Sequence, residues 1–379
     1  MKKARMMYAA SDADADLLYA MRFFVPDPVL WWQEGKATNA VFSILEVDRA
    51  RKTAKVDRVW TFEEFLPKGV KDRSAEALVS SVVAKRKLKQ VEVPRHFPIS
   101  LARALEAAGA EVKVAKSSFF PQRELKEDEE VAKIHQAQKL AQAGMERAWE
   151  VLRASAPAKA PKGKAGTGSG PRILQWEGED LTSERLRGEI DAAIIKRGGL
   201  PAGTIVACAD QACDPHERGS GPLFADSAII LDIFPRFQST GYYGDLTRTV
   251  VRGKASPELH KLYNTVKEGK AWVMSQTKAN ADGKKLHEAL TKRFTDAGFP
   301  TEQRDGRWVG FFHGTGHSLG LEIHEAPRFS AGKFKAGHIM TIEPGLYFPG
   351  LGGVRIEDLV LIEESGVRNL TDLPEFLEL

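Results

Sequence analysis

The sequence predicts a two-domain chain of the α/β (α+β) class, an N-terminal unit over 1–122 and a second domain over 123–379. Three observations carry this. The first hundred-odd residues alternate short strand-like runs with helical ones. A long helical pattern then opens the second part. The last seventy residues are strand-dense, and they hold ionisable side chains among glycines, which allow close backbone approach.

In the first unit, 6–9 reads as a strand and 14–23 as a helix with Leu17, Leu18, Met21 and Arg22 at helical spacing. Residues 29–32 are strand-like, and 40–45 and 54–59 alternate near period two. Helix is expected at 75–84, strand at 91–93, helix at 99–108 closed by Gly109, and strand at 111–114. Nothing here clusters catalytic groups, and His96 reads as a surface histidine.

Residues 123–154 form a helical pattern through Val131, Ile134, Ala137, Leu140, Ala141, Met145, Ala148 and Leu152. Its acidic run at 126–130 suits a solvated helix start, where the macrodipole favours negative charge. Residues 155–171 hold Ala, Pro, Lys, Gly, Ser and Thr without a large apolar side chain, and read as a mobile basic insertion. A helix follows from Leu181-Thr182-Ser183-Glu184 to Gly198-Gly199. Strands are expected at 205–209 and 227–234, with a turn-rich loop at 214–222 between them that holds His216. A turn at 241–244 returns the chain as a second hairpin arm at 245–251. Residues 257–275 and 286–297 read as helices, and His260, His287 and His338 as surface residues.

Composition bounds the function. Apolar residues make up 42% and charged residues 28%, the mix of a soluble globular protein. A net charge of +4 over 55 basic and 51 acidic residues, without a basic stripe interleaved with aromatics, argues against nucleic acid. No apolar run approaches the ~18 residues of a membrane span, and the run after the basic start is too short for a signal segment. Two cysteines, Cys208 and Cys213, make no disulfide framework. A cytoplasmic enzyme is expected.

The chemistry centres on 313–358, and the chain before it supplies two more carboxylates. Asp232 sits inside an apolar strand, where a lone carboxylate must be paired or neutral. Asp245 begins the facing arm, so a hairpin brings two like charges together, and a cation between them resolves the repulsion. His317 follows a glycine-rich turn, Glu343 precedes Pro344, and Glu357 lies in a strand expected over 354–362, with Arg355 on its face. Four carboxylates and one imidazole suit two divalent ions that share an activated water. Oxygen-rich ligation favours Mn²⁺, Fe²⁺ or Co²⁺ over a thiolate-type zinc site. His313 and His324 flank His317 at four and seven residues, placed to bind a substrate carbonyl or a tetrahedral intermediate.

In this order, Asp232, Asp245, His317, Glu343 and Glu357 resemble the ligands of the pita-bread metallopeptidases, the group of methionine aminopeptidase, aminopeptidase P and prolidase. Glu343-Pro344-Gly345-Leu346-Tyr347 and Gly353-Val354-Arg355-Ile356-Glu357-Asp358 resemble its proline-specific branch, as do Arg123, Lys126 and Glu130 at the start of the catalytic domain. The resemblance covers about 123–370. It implies a creatinase-like N-terminal domain before a pita-bread catalytic domain, with the five residues as ligands of two metal ions, Mn most simply and Co, Zn or Fe otherwise. Glu343 then also acts as acid and base, and His216, His313, His324 and Arg355 meet the substrate. The activity implied is hydrolysis of the bond before proline by a metal-bridging hydroxide. Xaa-Pro dipeptides are the expected substrate, with an aminopeptidase P-type action on longer peptides as the alternative. A homodimer is implied as well. A metal-free binding protein or a creatinase-type hydrolase would expect substituted ligands, and all five are present. The chain departs from the pattern in a longer Asp232–Asp245 spacing, in His216 lying slightly nearer Asp232, and in the 155–171 insertion.

Overall fold

A computed structural model describes residues 2–66, 69–158 and 172–379. The chain divides into two compact units, Met1–Pro121 and Gln122–Leu379.

The first unit is built on a six-stranded mixed sheet. Its spatial order is Arg58–Thr61, Ala37–Phe42, Val29–Glu34, Lys3–Ala9, Gln90–Val93 and Glu111–Val114. Helices Ala75–Arg86 and Ile99–Ala107 bury Leu78, Val79, Val82, Leu101 and Leu105 on one face of it. Gly109 closes the latter helix at φ +91°. Two expectations change here. The strand expected at 54–59 begins only at Arg58, because Val47–Thr53 is a helix that turns Val47 and Ala50 inward. The strand expected to reach Leu45 ends at Phe42, leaving Ile44 and Leu45 in an exposed loop.

The second unit has two similar halves. In the first, helices Asp128–Ala154 and Ser183–Ile195 cover an antiparallel sheet of Ile205–Cys208, Ala228–Ile233 and Leu246–Val251. Met145, Leu152, Leu186 and Ile190 pack there against Val206, Ile229, Leu231 and Val250. In the second, helices Pro257–Gln276 and Gly283–Asp296 cover an antiparallel sheet of Ile339–Ile342, Asp358–Ile362 and Val367–Asn369. Leu262, Val266, Leu290 and Phe294 meet Met340, Ile342 and Val360. Each fully buried aliphatic contributes about 1.5–3 kcal/mol, so the helical layer holds both sheets firmly.

The long helix begins at Asp128, with Arg123 in a 3₁₀ turn over Pro121–Glu124. Its acidic start is not wholly solvated: Glu130 is 3% exposed and accepts a hydrogen bond from the Tyr242 hydroxyl at 2.7 Å. Of the 155–171 insertion, 159–171 lie outside the described residues. No described helix is long and apolar enough to cross a membrane.

Candidate metal centre and substrate cavity

The hairpin sets the first two carboxylates. Ala228–Ile233 and Leu246–Val251 pair antiparallel with Asp232 opposite Thr247. Asp245 stands just before the second strand rather than within it. It is buried where Gly244 presses on the long helix, and a Cβ at 244 would meet the Ala137 carbonyl oxygen at 2.6 Å. The Asp232 carboxylate accepts from Arg355 Nη2 at 2.8 Å.

His317 arrives on a main chain packed so tightly that a Cβ at Gly316 would collide with the Thr341 carbonyl. Its N–H donates to Thr341 Oγ1 at 3.0 Å, and Nδ1 faces the Ser318 carbonyl at 3.2 Å. That contact puts the ring proton on Nδ1 and leaves the Nε2 lone pair for the cavity. Nε2 lies 3.6 Å from Asp245 Oδ2 and 3.5 Å from Glu343 Oε1. The Glu343 N–H donates to the Thr315 carbonyl at 2.9 Å.

Glu357 is not inside one continuous strand. Gly352–Arg355 pairs with Gly345–Phe348, whereas Asp358–Ile362 pairs with Ile339–Ile342, so the chain changes sheets at Ile356 and Glu357. The crossing is pinned to the hairpin. The Glu357 N–H donates to the Thr247 carbonyl at 3.0 Å, Thr247 Oγ1 donates to Glu357 Oε2 at 2.8 Å, and Arg248 Nη1 donates to the Glu357 carbonyl at 2.6 Å.

Asp245, His317 and Glu357 each offer a ligand atom within 4.8 Å of the others. Burial, then the charges of Glu357, Asp232 and Glu343, pushes Asp245 well above the usual carboxylate range. Burial and repulsion from Glu343 and Asp232 do the same to Glu357. Burial foremost raises Glu343 to about 7, against the pull of Arg355. Burial, with His324 nearby, lowers His317 to about 3, so its ring is neutral. Crowded carboxylates that resist ionising, beside a neutral imidazole with a free lone pair, are a donor set that fits hard divalent cations.

All nine residues singled out in the sequence line one cavity of about 800 Å³, walled also by Ile205, Phe234, Phe312 and Ile323. His216 is exposed on its loop, and His324 is exposed with its ring edge-on to His317 at 4.4 Å. His313 differs from the expectation. Arg355 Nη1 donates to the Tyr347 hydroxyl at 3.0 Å, so the hydroxyl donates to His313 Nε2 at 2.8 Å, and His313 Nδ1 donates to the Gly314 carbonyl at 2.8 Å. Both ring nitrogens are thus committed within the protein, and burial with Arg355 nearby lowers the group to about 3.

Two histidines read as surface residues are not. His287 is half-buried against Phe311, its Nδ1 2.9 Å from Thr315 Oγ1, and His338 is 3% exposed. The sequence reading gave no role to Tyr347, to Arg328 on the cavity wall, or to Arg248 behind Glu357. Tyr347 had a signal: it follows Glu343-Pro344-Gly345, in the strand opposite Arg355.

Fold and site together define the pita-bread class of metalloproteins. Residues 132–364 match the model of metallopeptidase family M24, and the chain belongs to that family. The Xaa-Pro dipeptidase of Pyrococcus furiosus is 33% identical over 203 residues, 51% of this chain and 56% of that protein. The chain spans about half the length of the curated relatives it matches. The solved structure of an Xaa-Pro dipeptidase from Bacillus anthracis superposes with a TM-score of 0.80 at 23% identity, over 100% of this chain and 95% of that one. An X-Pro aminopeptidase from Thermotoga maritima gives 0.80 at 21% identity, over 100% and 98%.

Proposed function

We propose that the chain is a divalent-metal exopeptidase that hydrolyses the bond before proline, with Xaa-Pro dipeptides as its substrates. The observation that carries the reading is the gathering of four carboxylates, a neutral imidazole, three further histidines and Arg355 around one cavity. The likeness to a relative named Xaa-Pro dipeptidase supports the substrate class. The structural likeness to an X-Pro aminopeptidase keeps longer Xaa-Pro peptides as the second reading.

In this reading Asp232, Asp245, His317, Glu343 and Glu357 hold two divalent ions, Mn²⁺ by preference for an oxygen-rich set and Co²⁺, Zn²⁺ or Fe²⁺ otherwise. Such ions supply Lewis acidity and a water acidic enough to be a nucleophile near neutral pH. Glu343, in the cavity wall, would also pass a proton to the leaving proline nitrogen. Arg355 holds Asp232 and the Tyr347 hydroxyl, and Tyr347 fixes the tautomer of His313. His324 and His216, exposed at the cavity, contact the substrate. Residues 123–379 form the catalytic domain and 1–122 an accessory one. A homodimer and a cytoplasmic location complete the reading, and the two buried free thiols suit a reducing compartment.

The test is to strip the protein with chelator, reload it with Mn²⁺, Co²⁺ or Zn²⁺, and assay Ala-Pro beside Ala-Pro-Ala, with Glu343→Ala as control. Cleavage of the dipeptide alone establishes the dipeptidase. Preference for the tripeptide moves the assignment to the aminopeptidase, and cleavage of neither overturns the proline-specific reading.

A further inference from the structure

Beside the substrate cavity lies a second one of about 590 Å³. It shares His324 and Arg328 with the first and is walled by Glu124, Glu325, Lys333, Lys335 and His338. Its chemistry is one-sided. The buried basic side chains of this unit, Arg123, Lys126, Arg248, Lys270 and Arg355, each have an acidic partner. Arg328, Lys333 and Lys335 have none within ion-pair distance among the described residues. The Glu325 carboxylate does not balance them. It is buried and already accepts from Arg123, from Lys126 Nζ at 3.0 Å, and from the N–H groups of Leu321 and Glu322 at 2.8 and 3.1 Å.

His338 adds an independent sign. Its Nδ1 accepts from the Lys335 N–H at 3.2 Å, so in the neutral ring the proton sits on Nε2. Nε2 is buried and has no hydrogen-bond partner among the described residues. Burial, with Lys335 and Lys126 nearby, lowers His338 to about 4, which keeps the ring neutral. An orphan buried donor is costly, and native proteins rarely leave one without a water or ligand to satisfy it. The cavity thus offers three unpaired cations against the single carboxylate of Glu124, with the buried His338 in its wall.

We infer that this second cavity is a carboxylate-binding subsite, which receives the part of a peptide reaching beyond the proline. The inference rests on the peptide reading of the adjoining cavity. The carboxylate has two sources, the C-terminus of such a peptide or an acidic side chain within it. A peptide of this kind binds as a substrate if the enzyme cleaves longer chains, and as a competitor of Ala-Pro if it does not.

The experiment compares Ala-Pro-Ala with Ala-Pro-Ala-amide for the terminal carboxylate, and Ala-Pro-Glu-amide with Ala-Pro-Gln-amide for the side chain. Affinity is read as KM where the peptide is cleaved and as Ki against Ala-Pro where it is not. At low ionic strength the charged member of at least one pair binds about fivefold more tightly. In the Lys333→Gln/Lys335→Gln variant that ratio falls towards one, while kcat/KM for Ala-Pro is unchanged. The pair that responds identifies the source. Ratios of one in both wild-type pairs overturn the inference, as does a ratio that survives in the variant. Failure to cleave any peptide would instead defeat the peptidase reading, and calorimetric titration of the same pairs would still read the subsite.

Discussion

The Gln138 carboxamide grips both main-chain groups of Asp245. Its Oε1 accepts the Asp245 N–H at 2.7 Å, and its Nε2 donates to the Asp245 carbonyl at 2.8 Å and to Thr371 Oγ1 at 2.9 Å. Thr371 Oγ1 also accepts the N–H of Leu359, two residues beyond Glu357, at 3.0 Å. One side chain, 0% exposed, therefore braces from behind the two segments that carry Asp245 and Glu357. Only a carboxamide both accepts and donates in this way. Gln138→Met takes these partners from the Asp245 N–H and carbonyl, each unsatisfied buried group costing about 1–3 kcal/mol. The expected outcome is about a tenfold weaker metal affinity by titration calorimetry, with Gln138→Glu intermediate because it retains the acceptor. Unchanged metal affinity in Gln138→Met would show the contact to be structural only.

Tyr347→Phe removes the hydroxyl between Arg355 and His313 while leaving the ring packed on Phe312. His313 Nε2 then loses its donor. The variant is expected to lower kcat about tenfold, the effect of one buried hydrogen bond, with a small change in KM. A kcat equal to wild type would detach Tyr347 from the chemistry.

Removing metal is expected to destabilise the second unit, Gln122–Leu379. An ion held at about 100 times its Kd contributes about 2.7 kcal/mol by linkage, and a unit of this size shifts by about 2–4 °C per kcal/mol. Chelator should lower Tm by about 5–10 °C in a thermal scan, and readdition should restore it. A Tm indifferent to chelator would contradict the fit of the donor set.

Glu34 sets an acid limit on the N-terminal unit. Burial alone would raise its carboxyl, but Arg86 Nε at 2.7 Å, Lys2 Nζ at 2.8 Å and Trp32 Nε1 at 2.8 Å outweigh it and hold the group at about 2. A folded-state value below the unfolded one gives stability that is present above about pH 4.5 and lost as pH falls towards 2. With solvent screening the contribution is about 1–2 kcal/mol. Wild type minus Glu34→Gln, measured by urea denaturation, should be flat above pH 5 and close near pH 2.

Where side chains follow a simple period, the sequence was readable. The apolar stripe from Val131 to Leu152 gave the long helix, and the unbroken apolar run around Asp232 gave the buried strand. The ligand candidates were legible because a carboxylate in an apolar strand has few explanations. What escaped depends on partners distant in the chain. Val47–Thr53 has too few apolar positions to stand out from the alternation around it. The change of sheets at Glu357 is set by pairing with Thr247, 110 residues away. Gln138 looks like any polar residue on a helix until its partners are known, and His287 and His338 gave no local sign of burial.

The longer link between Asp232 and Asp245 is closed on itself. Arg236 bridges Tyr243, Arg236–Phe237 pairs with Gly199–Leu200, and the strands on either side are registered independently through six paired positions from Ala228 opposite Val251 to Ile233 opposite Leu246. The register of the two strands beside the carboxylates is therefore set apart from the length of the chain joining them. A change of length at the exposed tip, Gln238 and Ser239, leaves that register in place.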